Sequence, residues 1–214
     1  MLTFNPQFLS ANSIGEYTWH RIGVRENPSA TTYLEFAEAD FADGQNDRCR
    51  VNAISNAKRS LHMRLEDLCL GFGSVTLSKL KTFPFLLNYV RKCGIVTPKV
   101  LVQLNLLRND VEHRFQVPTA SEVTTFIGVA SLFLSATDRW IDRQPVEIDY
   151  FKEVLSDGEI WCLVAVKFDW KQGLTMLHFR KKGESLGSRT RTVKFTSPSD
   201  EFFHCVNFAL TNNY

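Results

Sequence analysis

The chain of 214 residues has little net charge, few cysteines and no long hydrophobic run. Its 25 basic and 23 acidic residues leave a formal charge of +2. There is therefore no overall field to attract a nucleic acid or a membrane, and a polyanion would need a local patch. Hydrophobic residues make up 44% of the chain and aromatic residues 12%, which excludes a disordered or a fibrous protein.

The sequence also lacks the signals of export, membrane insertion and metal binding. The first 15 residues have no basic start and no apolar stretch of signal-peptide length. The longest apolar passage, 126–133, is interrupted by Gly128 and Ser131 and is too short to span a bilayer. We therefore expect a soluble, cytoplasmic protein with reduced, mostly buried thiols and with no metal site, cofactor or disulfide framework. Its five cysteines form no C-x-x-C pair: Cys49, Cys69, Cys93, Cys162 and Cys205.

Helix start and stop signals are frequent between residues 31 and 140. The pattern T-x-x-E at Thr32 and Glu35 predicts the start of a first helix. Apolar residues at intervals of three and four predict a long second helix over 47–70, which Gly71 and Gly73 end. Further helices are predicted over 84–93, from Thr97 as cap with Pro98 at the first position, and from a second capping box, Thr119 to Glu122, to residue 140.

After Pro145 the pattern changes to short runs rich in β-branched and aromatic residues. These predict an antiparallel meander of three or four strands, and Ser199 predicts the start of a terminal helix that covers one face of it. The strands are predicted over 146–151, 159–168, 174–180 and 189–195, and the helix over 202–210.

The expected architecture is α+β. An antiparallel bundle of about five helices over 29–143 precedes a small β-rich domain with a terminal helix over 144–214. The leader, 1–28, contains Asn, Ser, Gly and Pro throughout, and we assign no structure to it.

Reactive side chains gather on the predicted fourth helix. Its buried stripe is expected to be Val100, Leu104, Leu107 and Val111. At about 100° per residue, Arg108 lies nearest to this stripe, Glu112 and Asn109 follow, and His113 points almost opposite the core. The four side chains therefore form a continuous polar arc.

This segment resembles the HEPN superfamily of helical-bundle ribonucleases and toxins. Arg108-Asn109-x-x-x-His113 is similar to the family's R-x4–6-H motif with a polar residue directly after the arginine. The motif lies on the next-to-last helix of a bundle of the expected size, and the resemblance covers residues 31–142. The run from Asn52 to Arg59 also looks like members of this group.

The resemblance implies metal-independent cleavage of RNA, with a toxin or defence role. His113 would act as general acid or base. Arg108 would bind the phosphate and stabilise the charge that develops on it, and Asn109 would orient the imidazole or the ribose. Because one histidine cannot easily serve as both acid and base, the family's habit of pairing two protomers implies a homodimer with a composite active site. Products would carry 2′,3′-cyclic phosphate.

Two other interpretations of the motif stay open. Arg108 and Glu112 at i, i+4 could simply pair on a solvated helix face. The bundle could also be an inactive dimerisation or scaffold module whose β-rich tail binds a protein partner, neutralising or activating. One position departs from some members, because Phe115 stands where they carry a modified tyrosine two residues after the histidine. Regulation by that modification is therefore not expected.

Two weaker signals complete the sequence-based picture. A basic hairpin could contact an RNA backbone or guard an edge strand against aggregation. Its cations are Arg180, Lys181, Lys182, Arg189, Arg191 and Lys194. The remaining histidines show no metal-ligand spacing and are interpreted as core or surface residues, although His62 could approach the motif helix. They are His20, His62, His178 and His204.

Overall fold

A computed structural model describes residues 6–9, 13–44, 46–74, 82–95, 99–104, 106, 116–155, 161–184 and 191–212. A short 3-10 turn, Pro6–Phe8, lies near the start of the chain, and residues 100–104 are helical. The longer helices are α1 (Ala30–Ala42), α2 (Asp47–Gly71), α3 (Phe83–Lys92), α4 (Ala120–Asp142) and α5 (Asp200–Thr211). The strands are β1 (Ile14–His20), β2 (Gln144–Leu155), β3 (Trp161–Asp169), β4 (Leu174–Lys181) and β5 (Arg191–Thr196).

The five strands form one antiparallel sheet in the order β1-β2-β3-β4-β5. The predicted meander is confirmed, and so is the mixed α+β class. In β4 the buried side chains alternate with partly exposed ones, so one face of the strand points into the core. Helix α5 packs against β2, β4 and β5, as predicted for the terminal helix. The predicted cap is also confirmed, because the Ser199 hydroxyl accepts from the backbone N–H of Phe202 at 3.2 Å.

The leader, to which the sequence assigned no structure, supplies the first strand of the sheet. Tyr17 in β1 lies opposite Ile148 in β2, and the Tyr17 ring stacks on Trp19 with centroids 4.6 Å apart. The backbone N–H of Ile22 then donates to the carbonyl of Ile141 at 2.8 Å, which ties the chain after β1 to the end of α4. The division of the chain at residue 143 stays a prediction.

Most predicted helix boundaries hold, but the cap of α1 was wrong. The helix begins at Ala30, and Ser29 is the N-cap: its hydroxyl accepts from the backbone N–H of Thr32 at 3.0 Å. Thr32 therefore lies inside the first turn instead of preceding it. The T-x-x-E pattern was matched three residues too late, because serine at position 29 offers the same capping chemistry earlier.

Helix α2 ends as the sequence predicted, with Gly73 as the residue that requires glycine. Its φ is +81°, in the left-handed region that L side chains rarely adopt. A Cβ there would lie 3.1 Å from the Cα of Gly173 in the turn between β3 and β4. The end of α2 therefore lies directly against the sheet.

The helices meet the sheet through an aromatic junction, which we define as Phe72, Tyr89, Phe168, Trp170 and Phe202. The ring of Trp170 stacks on Phe168 with centroids 4.7 Å apart and meets Phe72 edge-on at 5.4 Å. Its indole N–H donates to the carbonyl of Pro145 at 2.6 Å. The Tyr89 hydroxyl lies 2.9 Å from the carbonyl of Phe72, to which it donates. The polar tips of both large rings are thus satisfied inside the core.

Helix α4 is long and apolar enough to cross a membrane by length and composition alone. One of its faces is buried in the protein, and the helix packs against α1 and α2. A cytoplasmic location stays a prediction. The buried residues of α4 are Val123, Phe126, Ala130, Phe133, Leu134, Thr137, Trp140 and Ile141.

Candidate functional site

The predicted catalytic residues Arg108, Asn109 and His113 lie outside the described residues, as does Glu112. The structure does describe both sides of the segment. Before it, residues 100–104 are helical with Leu104 buried, as the predicted stripe requires. Leu101, which the stripe omitted, is fully buried as well.

After the segment, the predicted capping box starts α4. The Thr119 hydroxyl accepts from the backbone N–H of Glu122 at 3.2 Å. In return, the Glu122 carboxylate accepts from the backbone N–H of Thr119 at 2.7 Å. Both orphan donors are satisfied, so the start of α4 is fixed by local chemistry. Pro118 directly before it is buried.

A second candidate site lies at the other end of α4. A cavity of about 650 Å³ opens between the segment that joins β1 to α1, one face of α2 and the last turn of α4. We call it the arginine cavity. Its charged lining residues are Arg21, Arg25, Glu26, Arg64, Asp67, Asp138 and Asp142.

Arg64 is the most deeply buried cation of this cavity, with only 7% of the residue exposed. Three acceptors lie within hydrogen-bond distance of the two N–H groups on its Nη1: the Asp138 carboxylate at 2.7 Å, the Thr137 hydroxyl at 3.1 Å and the carbonyl of Leu134 at 3.2 Å. Its Nε is buried and has no hydrogen-bond partner among the described residues. A buried donor without an acceptor is unusual in a folded protein.

Asp67 lies one turn further along α2 and is 4% exposed. Burial raises its pKa to about 6, although the nearby Arg25 and Arg64 guanidinium groups oppose this shift. The Nε of Arg25 lies 3.4 Å from Asp67, whereas its Nη2 makes a closer contact of 2.7 Å with the Glu66 carboxylate. Arg25 is therefore shared between Asp67 and Glu66, and Glu66 makes the closer contact.

His62 lies on the same helix, beside a smaller cavity that Arg25 and Glu66 also line. Its Nε2 is 3.2 Å from the Glu66 carboxylate. Burial lowers the pKa of the imidazole, although Glu66 partly opposes the shift. Among the described residues, no group of three or more histidine, cysteine or acidic side chains could hold a metal ion.

The five cysteines are all buried, as predicted. Burial raises the pKa of the thiols of Cys69, Cys93 and Cys205. A thiol that resists ionisation is a poor nucleophile and a poor metal ligand. These cysteines therefore act as small core residues.

The basic hairpin is described in part, because Arg189 lies outside the described residues. Lys181, Lys182 and Lys194 are exposed. Arg191 is partly buried with its guanidinium 6.0 Å from the centre of the Trp161 ring. Arg191 thus contacts Trp161 within the protein. RNA contact by the exposed lysines stays a prediction.

Comparisons with models of protein families, with curated proteins and with solved structures give no match. No relative therefore assigns a role to either candidate site.

Sequence reasoning missed the arginine cavity, although one signal was present. Arg64 follows Leu61 by three positions and precedes Leu68 by four, so it occupies the buried stripe of α2. A charged residue in the buried phase of a helix needs a partner. The partner, Asp138, is 74 positions away in the sequence.

Proposed function

We propose that this protein is a metal-independent endoribonuclease of the HEPN type, with a toxin or defence role. The observation that carries the proposal is the segment Arg108-Asn109-x-x-x-His113, which follows a buried helical stretch and precedes a capped helix. The proposed reaction attacks the phosphodiester with the neighbouring 2′-hydroxyl and leaves 2′,3′-cyclic phosphate and 5′-hydroxyl ends.

The burial of Leu104 supports the proposed placement of the histidine. His113 follows Leu104 by nine positions. In a helix that continues through the motif, nine steps of about 100° turn the side chain half a circle away from the buried face. The histidine would then be free of the core and accessible to a substrate.

The proposed roles follow from the chemistry of the three side chains. His113 transfers a proton to or from the reacting oxygens near neutral pH. Arg108 keeps its charge at any working pH and binds two phosphate oxygens through its forked donors. Asn109 precedes His113 by four positions, about one helical turn, and orients the imidazole or the ribose. A second protomer supplies the second histidine, so the active form is a homodimer.

Cleavage of RNA by purified protein tests the proposal. Total tRNA and single-stranded RNA are incubated with the protein in EDTA, and product ends are mapped. We expect cyclic phosphate products from the wild type and a loss of at least about a hundredfold in rate for Arg108→Ala and for His113→Ala.

Matched controls are available on the described surface. Arg48 and His204 are exposed residues on α2 and α5. Arg48→Ala and His204→Ala should leave cleavage unchanged. Equal cleavage by wild type and His113→Ala, or cleavage that requires a divalent cation, would refute the proposed mechanism.

A scaffold function is the second candidate, and exposed apolar side chains favour it. Leu132 on α4 is 72% exposed and Phe151 on β2 is 83% exposed. Contiguous exposed apolar patches mark protein contacts, so these two side chains are the positions at which to test for one. A ribonuclease toxin should slow the growth of its host, with relief by Arg108→Ala and His113→Ala, whereas a scaffold would show neither effect. Loss of a partner after Leu132→Asp and Phe151→Asp, without loss of cleavage, would assign both functions.

A further inference from the structure

The outward side of α4 is uncharged for about four turns, because the sequence has no charged residue from Val123 to Thr137. A helix that covers a protein core normally carries charged residues on its outward side. Six exposed residues on the side away from the core define what we call the α4 face. They are Thr124, Thr125, Gly128, Leu132, Ser135 and Arg139.

The two threonines of the α4 face use their hydroxyls within the helix. The Thr124 hydroxyl donates to the carbonyl of Ala120 at 3.0 Å, and the Thr125 hydroxyl donates to the carbonyl of Ser121 at 2.9 Å. These bonds satisfy both donors without water. This part of the face can therefore lose its water without leaving a hydroxyl donor unpaired.

Gly128 lies at the centre of the α4 face, and its own chain gives no reason for a glycine there. Among the described residues, no atom lies within 4 Å of the position that a Cβ would take. Glycine in the middle of a helix is unfavourable relative to alanine. One turn later, Leu132 is 72% exposed. The face therefore has a hollow and a projection one turn apart.

This hollow and this projection match those of a second, antiparallel copy of the helix. When two copies are centred on Ala130, each Leu132 lies opposite the other copy's Gly128. The missing Cβ lets the leucine approach the facing backbone closely, as a knob does in a hole of a helix pair. The α4 face is thus complementary to itself.

The charges at the two ends of α4 favour the same arrangement. Glu122 lies in the first turn and Arg139 in the last, and their midpoint falls beside Ala130. An antiparallel pair therefore brings each Glu122 to the other copy's Arg139, whereas a parallel pair would oppose like charges. At about 100° per residue, Asp138 and Asp142 turn to the flank opposite Glu122. The two-fold relation keeps the facing Glu122 away from both of these carboxylates.

A second copy fits this face better than a lipid surface does. Helices that lie on a membrane carry cations beside their apolar face, and no lysine or arginine lies between Gln116 and Asp138. The hollow at Gly128 offers nothing to lipid, whereas it lets another helix approach closely. The proposed function requires a second protomer. The inference rests on that requirement for the choice of a second copy, and on α4 for the contact.

We infer that a second copy of this chain packs antiparallel across the α4 face. Leu132 of each copy lies over Gly128 of the other, and Arg139 of each copy pairs with Glu122 of the other. Both copies use the same surface, so the contact closes with two chains.

Sedimentation equilibrium of the full-length protein without RNA tests the inference. We expect the mass of the wild type to rise with concentration to that of two chains. Gly128→Leu fills the hollow and should weaken the dimer at least about tenfold. Because a single chain has room for this side chain, circular dichroism should show a folded variant. The control Asn88→Leu adds a leucine at an exposed position of α3 and should dimerise as the wild type does.

An exchange of charge tests the antiparallel direction. Arg139→Glu places a carboxylate beside the other copy's Glu122 and should weaken the dimer at least about tenfold. Combining it with Glu122→Arg restores opposite charges and should recover most of the lost affinity. A double variant that dimerises no better than Arg139→Glu would overturn the antiparallel contact.

Dimerisation and cleavage are separate readouts. A wild-type dimer that Gly128→Leu dissociates supports the inference even if no RNA is cut, a result that would refute only the proposed function. The mass of one chain at every concentration would overturn the inference, whether or not that chain binds vesicles of phosphatidylcholine and phosphatidylserine. A dimer that Gly128→Leu leaves intact would overturn it as well, whatever the cleavage result.

Discussion

Helix α2 meets two different environments within its last three turns. At its end, Phe72 packs in the aromatic junction, where the polar tips of Tyr89 and Trp170 both reach a backbone carbonyl. Two turns earlier, Arg64 lines the arginine cavity with its Nε unsatisfied. Phe72 and Arg64 are both buried, but the polar groups beside Phe72 are paired, whereas the Nε of Arg64 is not.

The difference separates a region that stabilises the fold from one that lowers its stability. The junction buries large rings with every named polar tip paired, so removal of a ring exposes a cavity and loses packing. The arginine cavity keeps an unpaired donor and a carboxyl group with a raised pKa, which lower the stability of the folded protein. Carboxyl groups with raised pKa values of this kind are enriched at functional sites. Four predictions, in order of decreasing effect, test this contrast.

The largest effect is expected in the aromatic junction. Trp170→Ala removes a ring that contacts Phe72, Phe168 and Phe202. Urea denaturation should show a loss of about 3–5 kcal/mol in the free energy of unfolding. The matched control, Phe151→Ala, removes an exposed ring and should change it by less than about 0.5 kcal/mol. A loss below about 1 kcal/mol for Trp170→Ala would contradict the role given to the junction.

The second prediction concerns the asymmetry of the ion pair between Arg64 and Asp138. Asp138→Ala leaves the buried guanidinium with neutral hydrogen-bond partners only and should cost about 2 kcal/mol. Arg64→Met replaces the buried charge with an apolar chain and leaves an exposed carboxylate, so we expect a cost below about 1 kcal/mol. Equal costs measured by denaturation would show that the charge is not penalised by burial.

The third prediction is a pH dependence at Asp67. Burial raises the pKa of this carboxyl from an ordinary 3.8 to about 6, so the folded state holds the proton more tightly than the unfolded state does. Its contribution to stability is therefore greatest near pH 4 and is lost as the pH rises through 6. The free energy of unfolding of the wild type, relative to that of Asp67→Asn, should fall by roughly 1–3 kcal/mol between pH 4 and pH 7. A difference that is flat or rises with pH would contradict the burial of this carboxylate.

The smallest effects are expected at the helix caps, one beside each region. Ser29 caps α1 at the cavity and Ser199 caps α5 near the junction. Ser29→Ala and Ser199→Ala should each cost about 1 kcal/mol in the free energy of unfolding. Thr32→Ala should cost less than Ser29→Ala. The reverse order would indicate that Thr32 is the N-cap, as the sequence pattern predicted.

Local signals predicted most of the helices and strands. The capping box at Thr119 and the end of α2 at Gly73 depend on neighbouring residues only, and both are present in the structure. Strand β1 was missed because none of its side chains is fully buried and because its partner is β2, more than 120 positions later. Pairing over that distance leaves no periodic trace in the sequence.

The two candidate sites differ in how much of each could be predicted. The arginine and histidine of the motif lie five positions apart, so one pattern finds both. The arginine cavity joins Arg25, Arg64 and Asp138, which come from three separate parts of the chain. Only the position of Arg64 in the buried stripe of α2 indicated the cavity. Its partner, Asp138, could not be named because the sequence does not show that α2 packs against α4.

The most direct test of the central claim is the cleavage of single-stranded RNA in EDTA by wild type and His113→Ala, with mapping of the product ends. The proposed mechanism predicts 2′,3′-cyclic phosphate products from the wild type and a loss of at least about a hundredfold in rate for the variant. Undiminished cleavage by His113→Ala, or no cleavage by the wild type in a preparation shown to be folded, would contradict it.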